Sequence, residues 1–257
     1  MDRPTVTPGD AATWKGDAEG EPAAPTPALV VVEGVHKSYR RGPEIVHALR
    51  GASFELREGE TVCLVGPSGS GKTTLLNVLC GWEQPDRGTV MWPSGASLPL
   101  TDRGWADVAI LPQSMGLMEE LTIRENVELP TQLAPGPDRA KRVEGLLRYF
   151  GLAGLADRSP GEVSLGEQQR AAVARALVLR PLLLLADEPT GHQDEAWARS
   201  VLRGLTHAAR EGTCLLMATH NPAAVRYVGR LLTIRDGETH EEDPARFAQA
   251  AQVPVHP

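Results

Sequence analysis

At 257 residues, with 41% apolar and 23% charged residues, the chain has the composition of an ordinary globular protein with one full core, or one core plus a small subdomain. A formal net charge of −7 argues against general nucleic-acid binding, which needs basic surface to neutralise phosphates. No apolar run approaches the length that spans a bilayer, the longest notable one being 182–186, and the N-terminus lacks the apolar core of a secretion signal.

Residues 1–28 carry Pro4, Pro8, Pro22, Pro25 and Pro27 among Gly, Ala, Thr and acidic residues, with no apolar period, and read as a disordered tail. Order is predicted to begin at the β-branched run Leu29-Val30-Val31-Val32. Further strands are predicted at 46–50, 53–57, 61–65, 89–92, 107–111, 182–187, 213–219 and 231–235. Helices are predicted at 72–80, 122–128, 138–150, 166–180, 195–210 and 221–227. Short early strands with tight turns predict a small antiparallel sheet. The later alternation of strand and helix predicts a parallel sheet with helices on its faces, an α/β fold. The stretch from about 115 to 170 has almost no strand signal and reads as a helical insert. From about 241 the chain is polar and Ala-rich, reads as a fraying helix, and ends in Pro-Val-His-Pro. Cys63, Cys80 and Cys214 are far apart in apolar surroundings, fit neither a zinc site nor a disulfide framework, and read as buried reduced thiols of a cytosolic protein.

Between a predicted strand at 61–65 and a predicted helix lies Gly66-Pro67-Ser68-Gly69-Ser70-Gly71-Lys72-Thr73, which fits G-x-x-x-x-G-K-[ST] and is followed by Thr74. Glycines let such a loop wrap an anion with inward N–H groups, and the positive end of the next helix faces the same anion. Lys72 would reach the β- and γ-phosphates, and the Thr73 hydroxyl would ligate Mg²⁺. An incidental glycine-rich turn is the competing reading, disfavoured by the strand–loop–helix context. The chain also has only four lysines, at 15, 37, 72 and 141. Residues Gly66 through Thr74 are therefore candidate nucleotide-binding residues.

Leu182-Leu183-Leu184-Leu185-Ala186 ends in Asp187-Glu188, the pattern of a buried central strand delivering carboxylates to the ligand edge of an α/β sheet. Asp187 would hold Mg²⁺, through a water, since that ion keeps part of its hydration shell. Glu188 would polarise the water that attacks the γ-phosphate. Upstream, Val163-Ser164-Leu165-Gly166-Glu167-Gln168-Gln169-Arg170 opens a long predicted helix. Ser164 and Glu167 have the S-x-x-E spacing of a capping box, which satisfies the helix start without a ligand. The same helix start is also a suitable anion site, with the Ser164 hydroxyl and the Gly166 N–H available. The residues alone leave both readings open.

Taken together, the phosphate loop, Asp187-Glu188-Pro189-Thr190 and the Ser-x-Gly-Glu-Gln-Gln-Arg run resemble the ATP-binding subunit of an ABC transporter, over about residues 29–237. The resemblance implies a P-loop NTPase core with a small antiparallel β subdomain and a helical insert, one cassette spanning 29–240. It implies that Tyr39 stacks on adenine and that Gln113 senses Mg²⁺ and the attacking water. His220 would contact the γ-phosphate, and Asp194 would lie in a loop crossing a dimer interface. Two cassettes, identical or similar, would sandwich two ATP molecules head to tail, with Ser164, Gly166 and Glu167 of one closing on the γ-phosphate held by the other. The subunit would then be a cytoplasmic ATPase, peripheral on the inner face of the cell membrane, driving a separate integral permease.

Leu165 stands where the family usually has glycine, and His192 and Gln193 where it has a small or amide residue and a leucine. These departures put closure of the dimer, rather than the chemistry, in question. The Val46-His47-Ala48-Leu49-Arg50-Gly51 start and the Glu125-Asn126-Val127-Glu128-Leu129-Pro130 ending look most similar to cassettes of lipoprotein-release, macrolide-export and cell-division systems, so export or mechanotransmission is expected over import. Polar amino-acid importers share much of this pattern. A soluble two-cassette protein acting on ribosomes or DNA is disfavoured by the single cassette and short insert. A nucleotide-sensing scaffold without useful turnover is a third possibility, motivated by Leu165, His192 and Gln193.

Overall fold

The computed structural model describes residues 27–93, 104–133, 138–191 and 193–251. The expected disordered tail, apart from its last two residues, and His192 lie outside this set.

Strands β1 (Ala28–Arg41) and β2 (Glu44–Arg57) form a long antiparallel hairpin, and β4 (Arg87–Met91) pairs with the far side of β1, giving the sheet order β2-β1-β4. The two strands predicted at 46–50 and 53–57 are one bulged strand. Gly51 takes φ 109°, and the ladder shifts register where Val35 and His36 face Ala52 and Arg50. Glycine marks the irregularity there without ending the strand.

The second sheet has the order β5-β6-β7-β3-β8-β9, built from β3 (Thr61–Val65), β5 (Val108–Leu111), β6 (Leu183–Asp187), β7 (Cys214–Thr219), β8 (Arg230–Arg235) and β9 (Glu238–Glu242). Its first five strands are parallel, and β9 turns back antiparallel on β8. β9 was not predicted, so the chain at 238–242 is an edge strand rather than the start of a polar tail. The helix expected beyond it is α6 (Pro244–Ala251), and Phe247 packs on the core.

Every residue of β6 is buried, and its side chains alternate between two cores. Leu184 and Ala186 face one with Cys63 and Met217, while Leu183 and Leu185 face the other with Leu64 and Leu216. The first core is covered by α2 (Ile123–Leu133), α3 (Arg139–Tyr149), α4 (Leu165–Leu177) and α5 (Glu195–Arg210). The second is covered by α1 (Lys72–Leu79) and the antiparallel sheet. α2 runs through Pro130, past its predicted end at 128. A proline ring fits helical φ at the cost of one backbone hydrogen bond, and Pro130 is buried. The helix predicted at 221–227 is a 3₁₀ segment, Pro222–Tyr227.

The parallel register levels the strand ends. Val65 pairs with Thr219, and Asp187 with Ala218. The segments that leave β3, β6 and β7, namely the Gly66 loop, Glu188 and His220, therefore emerge side by side at one sheet edge.

Candidate functional site

The Gly66 loop is shaped by what it cannot accommodate. A Cβ on Gly66 would lie 2.3 Å from the Ile234 carbonyl oxygen, and one on Gly71, at φ 106°, 2.3 Å from that of Ala48. Only glycine allows the loop to press this closely on β8 and β2. Ser70 is buried beneath the loop and Lys72 folds over it, its Nζ donating to the carbonyls of Gly66 at 2.8 Å and Pro67 at 2.9 Å. Helix α1 begins at Gly71 with no side-chain cap and no acidic residue in its first turn. By contrast, α4 and α5 are capped by Ser164 and Asp194. The N–H groups at the start of α1 are thus left for an external anion.

Thr73 Oγ1 donates to Asp187 Oδ2 at 2.7 Å. Burial pushes the Asp187 carboxyl above its ordinary value; the Thr73 hydrogen bond opposes this, Glu188 adds to it and Lys72 opposes it. Next in sequence, Glu188 adopts φ 50°. Its carboxylate accepts from Thr219 Oγ1 at 2.8 Å and from the His220 N–H at 2.9 Å, and lies 2.6 Å from His220 Nδ1. The Glu188 side chain is 16% exposed and the His220 ring 80% exposed. The turn after β6 thereby fixes a nearly buried carboxylate beside an accessible imidazole.

These groups line one cavity of about 610 Å³. Tyr39, Val46 and Ala48 form one part of its wall, and the rest comes from Ser68, Gly69, Gly71, Lys72, Thr73, Thr74, Gln113, Asp187, Glu188 and His220. Predicted residues from five separate stretches of sequence meet here, while the predicted loop residues Gly66, Pro67 and Ser70 do not line the cavity. Val46 and Ala48 join them as wall residues, and Thr219 as a holder of Glu188; none of the three was singled out as a site residue. Tyr39 and Val46 are cross-strand partners in the β1–β2 hairpin, a pairing visible only once the register is set.

Ser164, Gly166, Glu167 and Asp194 do not line this cavity. Ser164 and Glu167 form the capping box: the Ser164 N–H and Oγ donate to Glu167 Oε2 at 2.7 and 2.8 Å, and the Glu167 N–H donates to Ser164 Oγ at 3.3 Å. Asp194 Oδ1 accepts from the Trp197 N–H at 2.9 Å, capping α5. Leu165 is 54% exposed at the start of α4. Gln193 donates to the Gly166 carbonyl and accepts from Arg170.

The profile of the ABC transporter family matches residues 49–191. The chain is 43% identical over 217 residues to the lipoprotein-releasing system ATP-binding protein LolD of Gluconobacter oxydans, covering 80% of this chain and 93% of that one. It is 38% identical over 223 residues to the cell division ATP-binding protein FtsE of Escherichia coli, covering 82% and 97%. The macrolide export ATP-binding/permease protein MacB of Chlorobium luteolum is 38% identical over 221 residues, and this chain spans only 33% of its length. Among solved structures, the dimeric ATP-binding cassette MJ0796 bound to ADP and Pi superposes with a TM-score of 0.77 at 32% identity, covering 84% of this chain and 99% of that one. The chain belongs to the ABC transporter family.

Proposed function

We propose that the protein is an ATPase subunit that closes as a dimer around two ATP molecules and drives a separate membrane permease. The observation that carries this reading is the convergence of Lys72, the Thr73–Asp187 pair and Glu188 with Tyr39 on one cavity. The dimeric state of MJ0796 supports the assembly. The names of LolD, MacB and FtsE support an export or mechanotransmission role over import.

Within the cavity Tyr39 and Val46 hold the base, and the loop N–H groups with α1's positive end hold the phosphates. Lys72 leaves the Gly66 and Pro67 carbonyls to reach the β- and γ-phosphates. Hard oxygen donors on Thr73 and Asp187, 2.7 Å apart beside Gln113, suit Mg²⁺. Among the described residues no group of three or more His, Cys, Asp or Glu side chains is arranged to hold a metal ion, so the ion would depend on these few groups and on phosphate oxygens. Bound there, Mg²⁺ would supply neutralisation of the charge that develops on the phosphates. Glu188 orients the attacking water and accepts its proton, Gln113 positions that water, and His220 donates to the γ-phosphate. The partner's γ-phosphate is met by Ser164, Gly166 and Glu167, with Asp194 beside the interface, so these residues belong outside the cavity of their own chain.

Among the described residues no helix is long and apolar enough to cross a membrane. Trp82 and Met118 are exposed apolar side chains, and Trp82 borders a second cavity shared with Pro112 and Gln113. That surface is where a cytoplasmic segment of the permease would report to the water-positioning residue, with the subunit lying on the inner face of the membrane. The test is Mg²⁺-dependent ATP hydrolysis by the purified subunit, alone and with its co-purified permease. Absence of turnover in both states would overturn the reading.

A further inference from the structure

Three consecutive residues of α4 fasten its first turns to their surroundings. Gln168 Nε2 donates to the Pro160 carbonyl at 2.9 Å, and Gln169 Nε2 donates to the Glu188 carbonyl at 3.1 Å. Arg170 donates through Nε to the Phe150 carbonyl at 2.9 Å and through Nη1 to Gln193 Oε1 at 3.2 Å, and its guanidinium lies 3.9 Å over the Trp197 ring. Gln193 completes the circuit, since its Nε2 donates to the Gly166 carbonyl at 2.8 Å. One orientation of the amide satisfies both partners, because Arg170 can only donate and a carbonyl can only accept.

The loop from Glu188 to Asp194 is therefore pinned to α4 near both ends, at Glu188 by Gln169 and at Gln193 by Gly166 and Arg170. Leucine, the usual residue of the family's pattern at 193, ends one atom short of the glutamine amide and has neither donor nor acceptor. Beside that leucine, the sequence alone gives Gln193 only as a departure that puts closure of the dimer in question. In the fold it is a polar clasp between the segment carrying Asp194 and the segment carrying Ser164, Gly166 and Glu167.

We propose that Gln193 is a positioning residue for closure, holding the two partner-facing segments of one subunit as a single body. The inference rests on the dimer reading above. Two segments that move independently must each be ordered when the partner arrives; segments already clasped lose less conformational freedom on closing.

The test uses the full chain carrying Glu188→Gln, in which slowed hydrolysis lets closure be read as ATP-dependent dimerisation by sedimentation. Adding Gln193→Leu is expected to raise the ATP concentration for half-maximal dimer by roughly tenfold, since each dimer loses the clasp twice. Binding of a fluorescent ATP analogue to the monomer should stay unchanged. Gln193→Glu keeps an acceptor for Arg170 but cannot donate to Gly166, and should shift closure in the same direction. With Glu188 intact, Gln193→Leu should need more protein to reach half-maximal turnover yet reach the same kcat at saturation, a split that partial unfolding would not produce. Closure of Gln193→Leu at the parent's ATP concentration, or a lowered plateau with no shift, overturns the role of Gln193. Gln193→Glu closing like the parent overturns the Gly166 link. If Glu188→Gln alone binds ATP without dimerising, the sandwich reading falls and takes this inference with it.

Discussion

Thr73 and Asp187, 114 residues apart in sequence, meet at 2.7 Å across the sheet edge, the hydroxyl of the first helical turn donating to the carboxylate that ends β6. The contact gives a buried carboxylate a partner where burial raises the cost of its charge. If the pair is the Mg²⁺ site, Asp187→Asn should abolish most of the Mg²⁺ dependence of ATP binding. In EDTA the variant should bind ATP at least as tightly as the parent, because it removes a negative charge facing the phosphates. Titration with a fluorescent nucleotide, with and without Mg²⁺, reads both effects. An undiminished Mg²⁺ response in the variant would remove Asp187 from the metal site.

Glu188 is held by Thr219 on one oxygen and by His220 on the other. Glu188→Gln keeps the size and an acceptor oxygen but cannot take a proton. Turnover should fall by about 10²- to 10⁴-fold with ATP binding intact, the range for loss of a general base. Thr219→Val releases Oε2 and removes the acceptor of the Asn221 N–H, leaves Oε1 held by His220, and should cost far less. Single-turnover hydrolysis distinguishes the two; unchanged turnover in Glu188→Gln would sink its assignment as the base.

Ser164 separates two readings that the sequence left open. In the free subunit its hydroxyl closes a capping box with Glu167. Ser164→Ala should therefore cost stability of about 1 kcal/mol, the usual value of an N-cap. Glu167→Ala breaks the same box yet leaves the hydroxyl for a phosphate. If Ser164 also meets the partner's ATP, Ser164→Ala should weaken ATP-dependent dimerisation more than Glu167→Ala at matched loss of thermal stability. Equal weakening would mean that Ser164 adds nothing to closure beyond the unit it forms with Glu167.

The sequence exposes the phosphate loop and the Asp187-Glu188 pair because each is a local pattern: glycines at fixed spacing after a strand, and acids ending an apolar run. Their meeting was readable as well, since a parallel sheet brings strand ends to one edge. What stayed hidden depends on distant partners. Gln193 reads as a polar residue in an apolar slot until Gly166 and Arg170 are beside it. β9, with Glu238, Glu241 and Glu242 around Thr239 and His240, lacks the apolar alternation that announces a strand, because it is an edge whose side chains are mostly exposed or half-exposed. Gly51 reads as a strand boundary because a bulge and a turn use the same residue.

β9 has a specific task for Thr239. Its Oγ1 accepts from the Ser53 N–H at 3.0 Å and donates to the Ser53 carbonyl at 3.2 Å, and the Arg50 N–H donates to the Gly237 carbonyl at 2.9 Å, so the two sheets are stitched where β2 meets β9. Thr239→Val keeps the shape and removes both side-chain bonds. It should lower unfolding stability by about 1 kcal/mol, consistent with a solvent-accessible hydrogen bond, with ATP affinity unaltered. Chemical denaturation of parent and variant measures the difference; no difference would mean that water replaces the stitch without cost.

Cys63 and Cys214 are buried, and that burial, with smaller contributions from Glu188 and Glu60 respectively, pushes both thiols up to about 12. Burial also raises Cys80, which is only half-buried and donates to the Asn77 carbonyl at 3.4 Å. An unfolded chain releases thiol protons near pH ~8.5. Below that pH both states keep their thiol protons and these groups leave stability unchanged. Above it the unfolded chain binds fewer protons than the folded one, so stability declines from about pH 8.5 up to the folded value of about 12, at up to ~1.4 kcal/mol per pH unit for each thiol. Thermal melts from pH 8 to 11 should therefore fall less steeply for the double variant Cys63→Ala, Cys214→Ala than for the parent, with other alkaline groups common to both. In the native protein at pH 8 an alkylating reagent should modify Cys80 ahead of the other two. Prompt native labelling of Cys63, which sits in β3 directly before the phosphate loop, would show that this strand opens far more readily than its full burial implies.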